Sequence, residues 1–305
     1  MKFKKIVCVD NTGLENWAIK KLGKYSAEDV EIFKDYPEND DEIIKRIKGA
    51  DCVLVSWNTQ ISKRVIEESK DLKYIGMCCS LYDESSANVD IVAARQNSIE
   101  VRGIRDYGDE GLVEFIVSEL IRLLKGLGNQ QWKNEAVELT QRKVGIIGMG
   151  TTGKMLARML SDFGMDVYYF NRSRKSDIEN EGIKYLPLSE LLQTVEIIST
   201  HLPKNTVLLG KDEFDLFGEG KILINTSLGV PFEVGAFLEW IKGKENYAIF
   251  DGDGSGANKE KFEEFSNIII SEKVAGWTKE ARERLSNKVL KNIQDILDIK
   301  KDHIL

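Results

Sequence analysis

The run Lys143-Val144-Gly145-Ile146-Ile147-Gly148-Met149-Gly150-Thr151-Thr152-Gly153 joins an apolar strand to a glycine-patterned turn and then to a helix. Residues of these types at this spacing can seat a diphosphate. Gly148 permits a tight turn, Gly150 lets the backbone approach the anion, and Gly153 lets a helix over 154–163 pack closely on the sheet. The start of that helix offers unpaired N–H groups and the positive end of a dipole, both of which favour an anion. Gly148, Gly150, Thr151, Thr152 and Gly153 are therefore expected to hold a phosphate-bearing ligand. After the helix, 164–170 reads as a second buried strand. Strand, turn, helix and strand thus follow within about thirty residues, as a βαβ unit requires.

The elements that must position this turn extend in both directions. Short apolar runs at 6–9, 52–56 and 74–77 read as buried strands, separated by helical patterns at 40–48 and 62–69. A long amphipathic helix is expected over 108–125, where Leu112, Phe115, Ile116, Leu120 and Leu123 recur at helical spacing with Glu119 as the charged exception. Beyond Lys143, further strands are expected at 196–200, 221–225, 248–251 and 268–270. Alternation of this kind predicts a parallel sheet covered on both faces. The last helical pattern, 279–297, has no strand after it and is expected to return to the first domain. The fold class is α/β, two Rossmann-like doubly wound parallel-sheet domains with a cleft between them, one over 1–105 plus 278–305 and the other over 106–277.

Composition narrows the functions available. With 305 residues the chain can bury two cores, and its 42% apolar and 30% charged residues describe an ordinary globular protein. A formal charge of −7 argues against a nucleic-acid or membrane-surface role, because neither polyanion is attracted overall. No run approaches the apolar length of a membrane span, and Met1-Lys2-Phe3-Lys4-Lys5 leads straight into a strand, so a cytoplasmic location is expected. Cys8, Cys52, Cys78 and Cys79 lack paired metal-ligand spacing and nearby histidines. Buried thiols are expected there, and no metal site.

Several ordered segments resemble the D-isomer-specific 2-hydroxyacid dehydrogenases over almost the whole chain. Asp71-Leu72-Lys73-Tyr74-Ile75-Gly76 is similar to the family's strand leading to its substrate loop, and Asn88-Val89-Asp90-Ile91 to the close of that loop. The segment 99–114, with Tyr107, Glu110 and Glu114, resembles the crossing into the cofactor domain. His201-Leu202-Pro203-Lys204-Asn205-Thr206 resembles the family's His-x-Pro-x-x-Thr segment, and Leu223-Ile224-Asn225-Thr226-Ser227-Leu228-Gly229 its Ile-Asn-x-Ser-Arg-Gly strand end. Ala248-Ile249-Phe250-Asp251 and Val274-Ala275-Gly276-Trp277-Thr278 match two further segments. The resemblance implies a flavodoxin-like substrate domain at 1–105 plus 278–305 and a dinucleotide-binding Rossmann domain at 106–277. It also implies a nicotinamide cofactor, with His201, Pro203, Thr206, Thr226, Ser227, Leu228, Asp251 and Gly276 beside it, a small-molecule substrate, and a homodimer paired near the 108–125 helix.

The family's chemistry matches less closely. The arginine that holds a substrate carboxylate is replaced by Leu228, and the histidine that moves a proton by Lys273. The expected glutamate falls within Gly252-Asp253-Gly254-Ser255-Gly256, where Asp253 is the nearby carboxylate. Hydride transfer to a carbonyl carbon leaves negative charge on oxygen, which a donor must neutralise. Lys273 is the candidate for that catalytic role, or else a solvated surface lysine. Ser80 and Tyr82 in the substrate loop, and Arg105 in the crossing, are candidate substrate-binding residues. The loop over 77–87 is longer than the family's and lacks its glycines.

In family members that bind NAD, an aspartate after the second strand accepts hydrogen bonds from ribose hydroxyls. Here Asn171 stands there, followed by Arg172, Ser173, Arg174 and Lys175. Loss of the carboxylate removes repulsion of a 2′-phosphate, and guanidinium and hydroxyl groups could bind one. NADP(H) is expected over NAD(H). Two functions fit these residues. One is an NAD(P)-dependent oxidoreductase acting on a CH–OH or carbonyl group with a nonstandard site, and the other is a catalytically inactive NADP-binding sensor or scaffold.

Overall fold

The computed structural model describes residues 1–302 except Ser85 and Asn205. His303, and the Asn205 position of the segment from His201 to Thr206, therefore lie outside the described residues. The chain divides into two compact units, Met1–Tyr107 with Thr278–Leu305, and Gly108–Trp277.

The first unit holds five parallel strands, β1 (Ile6–Cys8), β2 (Glu31–Ile32), β3 (Cys52–Val55), β4 (Tyr74–Ser80) and β5 (Glu100–Ile104), in the order β2-β1-β3-β4-β5. All four residues of β3 are buried, as a strand covered on both faces requires. One face packs Val7, Val53 and Ile75 against Ile43, Val65 and Ala93 from the helices that follow β2, β3 and β4. The helix Lys279–Asp302 packs on β4, β5 and the helix Asn16–Leu22 of this unit. Its buried stripe is Ala281, Leu285, Val289, Ile293 and Ile296, which places one residue per turn on the sheet. Cys8, Cys52, Cys78 and Cys79 are free and buried. Burial pushes the Cys8 and Cys79 thiols up to about 12, so they pack as small apolar groups.

The second unit is a seven-stranded parallel sheet of β6 (Lys143–Ile147), β7 (Asp166–Phe170), β8 (Lys184–Tyr185), β9 (Ile197–Thr200), β10 (Ile222–Asn225), β11 (Tyr247–Phe250) and β12 (Ile268–Ile270). Their order is β12-β11-β10-β9-β6-β7-β8. Strand order reverses between β6 and β9, and beyond the carboxyl ends of strands at such a switch point open α/β sheets bind ligands. The helix Asp109–Lys125 covers one face through Val113, Ile116, Leu120 and Leu123, packing on the helix Thr151–Asp162. The other face is filled by Phe214, Phe232, Phe237, Phe250 and Phe262, with Phe232 and Phe237 stacked at 4.4 Å between centroids. Each such side chain contributes roughly 1.5–3 kcal/mol on burial.

One element departs from the sequence expectation where it matters. The helix after the glycine turn begins at Thr151, not at residue 154, and ends at Asp162. Gly150 is extended and acts as its N-cap, so the first free N–H groups belong to the turn itself.

Candidate dinucleotide and hydride-transfer site

The three glycines of the turn are required for different reasons. Gly148 has φ +99°, and a Cβ there would lie 2.1 Å from the carbonyl oxygen of His201. A Cβ on Gly153 would lie 2.1 Å from the carbonyl oxygen of Gly148, so the helix could not approach the strand. At Gly150 nothing lies within 4 Å of that position, which leaves the backbone open to a ligand. The turn is fastened from behind, since Gly148 N donates to Phe170 O (2.9 Å) and Met149 N to Asn171 Oδ1 (3.1 Å). Thr152 gives its hydroxyl hydrogen to Asp109 of the long helix, while Thr151 is exposed.

Across the switch point, the ends of β9 and β10 form one hydrogen-bonded block. Asn225, fully buried, donates from Nδ2 to Gly229 O (2.9 Å) and Gly254 O (2.7 Å). Its Oδ1 accepts from the Thr200 hydroxyl (2.8 Å) and Ser227 N (3.2 Å). Ser227 Oγ accepts from Leu202 N (3.1 Å) and donates to Thr200 O (3.2 Å), tying this strand end to the His201 segment. His201 sits 3.0 Å from Ser199 Oγ through Nε2, and burial pushes its pKa down to about 4. It is neutral at physiological pH. Pro203 is exposed and Thr206 half-buried. Among the described residues the buried hydroxyls of Thr226 and Ser255 have no hydrogen-bond partner. An unsatisfied buried hydroxyl costs about 1–3 kcal/mol, and Thr226 directly follows β10 at the switch-point end. The open backbone at Gly150 and the orphaned Thr226 hydroxyl both fit a polar, phosphate-bearing ligand lying across these strand ends.

Three segments carry the positions where proton transfer was expected, and the second unit brings them together. Asp251, 1% exposed, accepts from Gly254 N and Ala275 N, each at 2.9 Å, one on each carboxylate oxygen. Burial pushes its pKa up to about 6, with the Asp253 charge adding to the rise. Gly252 N donates to Lys273 O (2.9 Å), and Gly229 N reaches Asp253 O at 3.5 Å. Leu228, Asp253 and Lys273 thus lie on backbone segments laced to one another. Leu228 is an apolar side chain left 45% exposed, Asp253 is half-buried with its pKa raised by burial, and Lys273 is exposed. Gly276 packs directly on Gly108, whose Cβ position lies 2.7 Å from the Gly276 carbonyl oxygen.

The basic loop after β7 is ordered by Tyr169 and Glu179, neither of which belongs to the basic cluster. Asn171 Nδ2 donates to Ser173 O (2.9 Å), while Arg172 and Ser173 are exposed. Arg174 pairs with Glu179, which also accepts from the Tyr169 hydroxyl at 2.7 Å. The sequence signal for this is Tyr169, a strand tyrosine whose hydroxyl needs a partner once the ring is buried. In the first unit, Arg105 donates to Leu81 O and Tyr82 O, both at 2.8 Å, and its guanidinium stands 5.3 Å from the centroid of the Tyr82 ring. Burial pushes the Tyr107 hydroxyl pKa up, and Ser80 at the end of β4 works against that rise. Arg105 thus braces the loop at Leu81 and Tyr82, next to Ser80, with the arginine partly spent on the brace.

A doubly wound sheet with this glycine turn at its switch point defines a dinucleotide-binding domain. Residues 116–271, about half of the chain, match the D-isomer specific 2-hydroxyacid dehydrogenase, NAD binding domain, and the chain belongs to that family. It is an NAD(P)-dependent, D-2-hydroxyacid dehydrogenase-like oxidoreductase of small molecules. It is 26% identical to the glyoxylate reductase of Thermococcus litoralis, covering 90% of this chain and 88% of that protein. Identity is 25% to the hydroxypyruvate reductase of Blautia hydrogenotrophica, over 96% and 97%. Among solved structures it resembles an acyclic imino acid reductase in complex with NADPH and D-Arg, with TM-score 0.83 and 26% identity over 97% of this chain and 98% of that one. Among the described residues no helix is long and apolar enough to cross a membrane, and no cluster of His, Cys, Asp and Glu could hold a metal ion.

Proposed function

We propose that this protein is an NADP(H)-preferring reductase whose substrate carries a C=N bond, an imino acid rather than a 2-oxo acid. The observation that carries the reading is the trio on the laced segments, Leu228, Asp253 and Lys273, in place of arginine, glutamate and histidine. A bound reduced nicotinamide supplies a hydride. Hydride addition to a carbonyl carbon leaves charge on oxygen and calls for an acid, whereas addition to a protonated imine returns the π pair to nitrogen and leaves a neutral amine. No proton donor is then needed. Asp253 complements an iminium cation, Lys273 a carboxylate, and the apolar Leu228 avoids placing a second cation beside the iminium. Similarity to an imino acid reductase bound to NADPH and D-Arg supports the same reading.

Lys273 also supports a second reading, reduction of a carbonyl with its ammonium as proton donor. On both readings Gly148, Gly150, Gly153, Thr226 and Ser227 hold the dinucleotide, and Arg172 with Ser173 receives the 2′-phosphate in place of an aspartate. Ser80 and Tyr82 of the substrate loop and Arg105 of the crossing bind the substrate. The protein is taken to be a cytoplasmic homodimer paired near the helix Asp109–Lys125, and sedimentation at monomer mass would remove the pairing.

NADPH oxidation is to be followed with 2-oxo acids alone and with the same acids plus ammonia or an amine, which form imines in solution. A rate that rises with amine concentration at fixed oxo acid is expected. A rate indifferent to amine would favour the carbonyl reading. No turnover with either, despite NADPH binding, would leave a non-catalytic sensor.

A further inference from the structure

The loop that receives the 2′-phosphate in the NADP(H) reading carries two arginines, and the structure treats them differently. Arg172 is exposed, and the loop beneath it is fixed because Asn171 bridges Met149 N and Ser173 O. Arg174 Nε donates to Glu179 Oε1 at 3.0 Å, Arg174 Nη2 donates to Glu179 Oε2, and the guanidinium lies 5.3 Å from the Tyr185 ring centroid. Glu179 also accepts from Tyr169, whose hydroxyl in turn accepts from Lys175 N at 2.6 Å. The Arg174 bonds, with the Tyr169 bond behind them, hold the Glu179 carboxyl down at about 2. A permanent anion therefore sits beside the loop that would bind a dianion.

Resting on the NADP(H) reading, we infer that Arg174 does not contact the 2′-phosphate but covers Glu179, and that Glu179 sets how strongly the site prefers NADPH. A bidentate arginine–carboxylate pair already uses the directional donors a phosphate would need. Such a pair is close to neutral seen from the phosphate, so the attraction comes from Arg172, with Lys175 behind it. Uncovering Glu179 adds repulsion, and deleting it releases a cation.

The test is a double-mutant cycle on dissociation constants for NADPH and NADH at one low ionic strength, with NADH as the internal measure of an intact fold. Arg172→Ala is expected to weaken NADPH about tenfold or more and spare NADH. Arg174→Ala should weaken NADPH roughly fivefold, and Glu179→Ala should tighten it by a similar factor. The double variant should return to within about twofold of the wild type, because both charges have left. A double variant as weak for NADPH as Arg174→Ala alone, with NADH binding intact, would overturn the inference and make Arg174 a direct phosphate ligand. Equal affinity of the wild type for the two cofactors would instead overturn the NADP(H) reading, and the inference with it.

Discussion

Within the second unit, the phosphate end and the chemical end of the site obey different rules. The glycine turn works through backbone geometry. Gly148 and Gly153 have no room for a Cβ, Gly150 has nothing but space, and all three keep the family's pattern. The Leu228, Asp253 and Lys273 segments are held just as firmly, by Asn225 and by the Asp251 carboxylate, while Leu228 and Lys273 themselves are exposed and Asp253 is half-buried. A scaffold fastened by buried residues leaves the exposed side chains between the fastenings free to change. Binding chemistry made of amides is thus fixed by steric need, whereas chemistry made of exposed side chains is not.

The strongest way to break this contrast is at the glycines. Gly153→Ala should drive the helix off the strand, cost about 1–3 kcal/mol of stability and abolish cofactor binding. Gly150→Ala meets no atom within 4 Å and has an ordinary negative φ. It should leave Tm within a degree or two of the wild type while weakening NADPH at least tenfold, because the methyl occupies the anion's approach. Thermal melts paired with fluorescence titrations separate the two outcomes. An unchanged NADPH dissociation constant in Gly150→Ala would place the diphosphate elsewhere.

At the other end, Lys273→Ala should leave NADPH affinity within about twofold and alter turnover in a way that tells the two chemistries apart. If the ammonium holds a substrate carboxylate, KM should rise roughly tenfold with kcat largely kept. If it donates a proton, kcat should fall by about 10²–10³. Asp253→Asn should lower the rate with imines more than with 2-oxo acids. Steady-state kinetics on both substrate types decides, and two variants indistinguishable from the wild type would mean that neither side chain belongs to the chemistry.

The same contrast governs what could be read from residues alone. The glycine turn and the apolar strands β6, β9 and β10 are legible because steric need and burial are written into residue type. The helix start reads late from sequence because Thr151, Thr152 and Gly153 are poor helix formers, and the Asp109 carboxylate that steadies Thr152 comes from a distant helix. β2 and β8 are two residues long, and neither carries a buried residue to announce it. Asp251 could be matched to a family position, but its clamp on Ala275 spans 24 residues and leaves no local trace. Arg174 reads with Arg172 as one basic cluster, because Glu179, five residues on, is at no regular spacing from it.

The smallest effect compares the two ends through pH. His201, whose carbonyl backs the glycine turn, has its pKa lowered from 6.5 to about 4, so the unfolded chain takes up that proton first. As pH falls from about 6.5 towards 4 this histidine makes the fold less stable. Asp251 at the chemical end has its pKa raised from 3.8 to about 6, so the folded protein holds a proton the unfolded chain has already released. As pH rises through the same window, Asp251 makes the fold less stable. The two slopes oppose and largely cancel in the wild type. His201→Gln should therefore uncover a stability that declines from pH 4 to 6, and Asp251→Asn one that rises, each diverging from the wild-type profile by about 2 kcal/mol across the window. The readout is the slope of the denaturation free energy against pH, because both substitutions also lower its level. Parallel profiles for all three proteins would mean that neither group carries its burial penalty in solution, and the two ends would then be equally open to water.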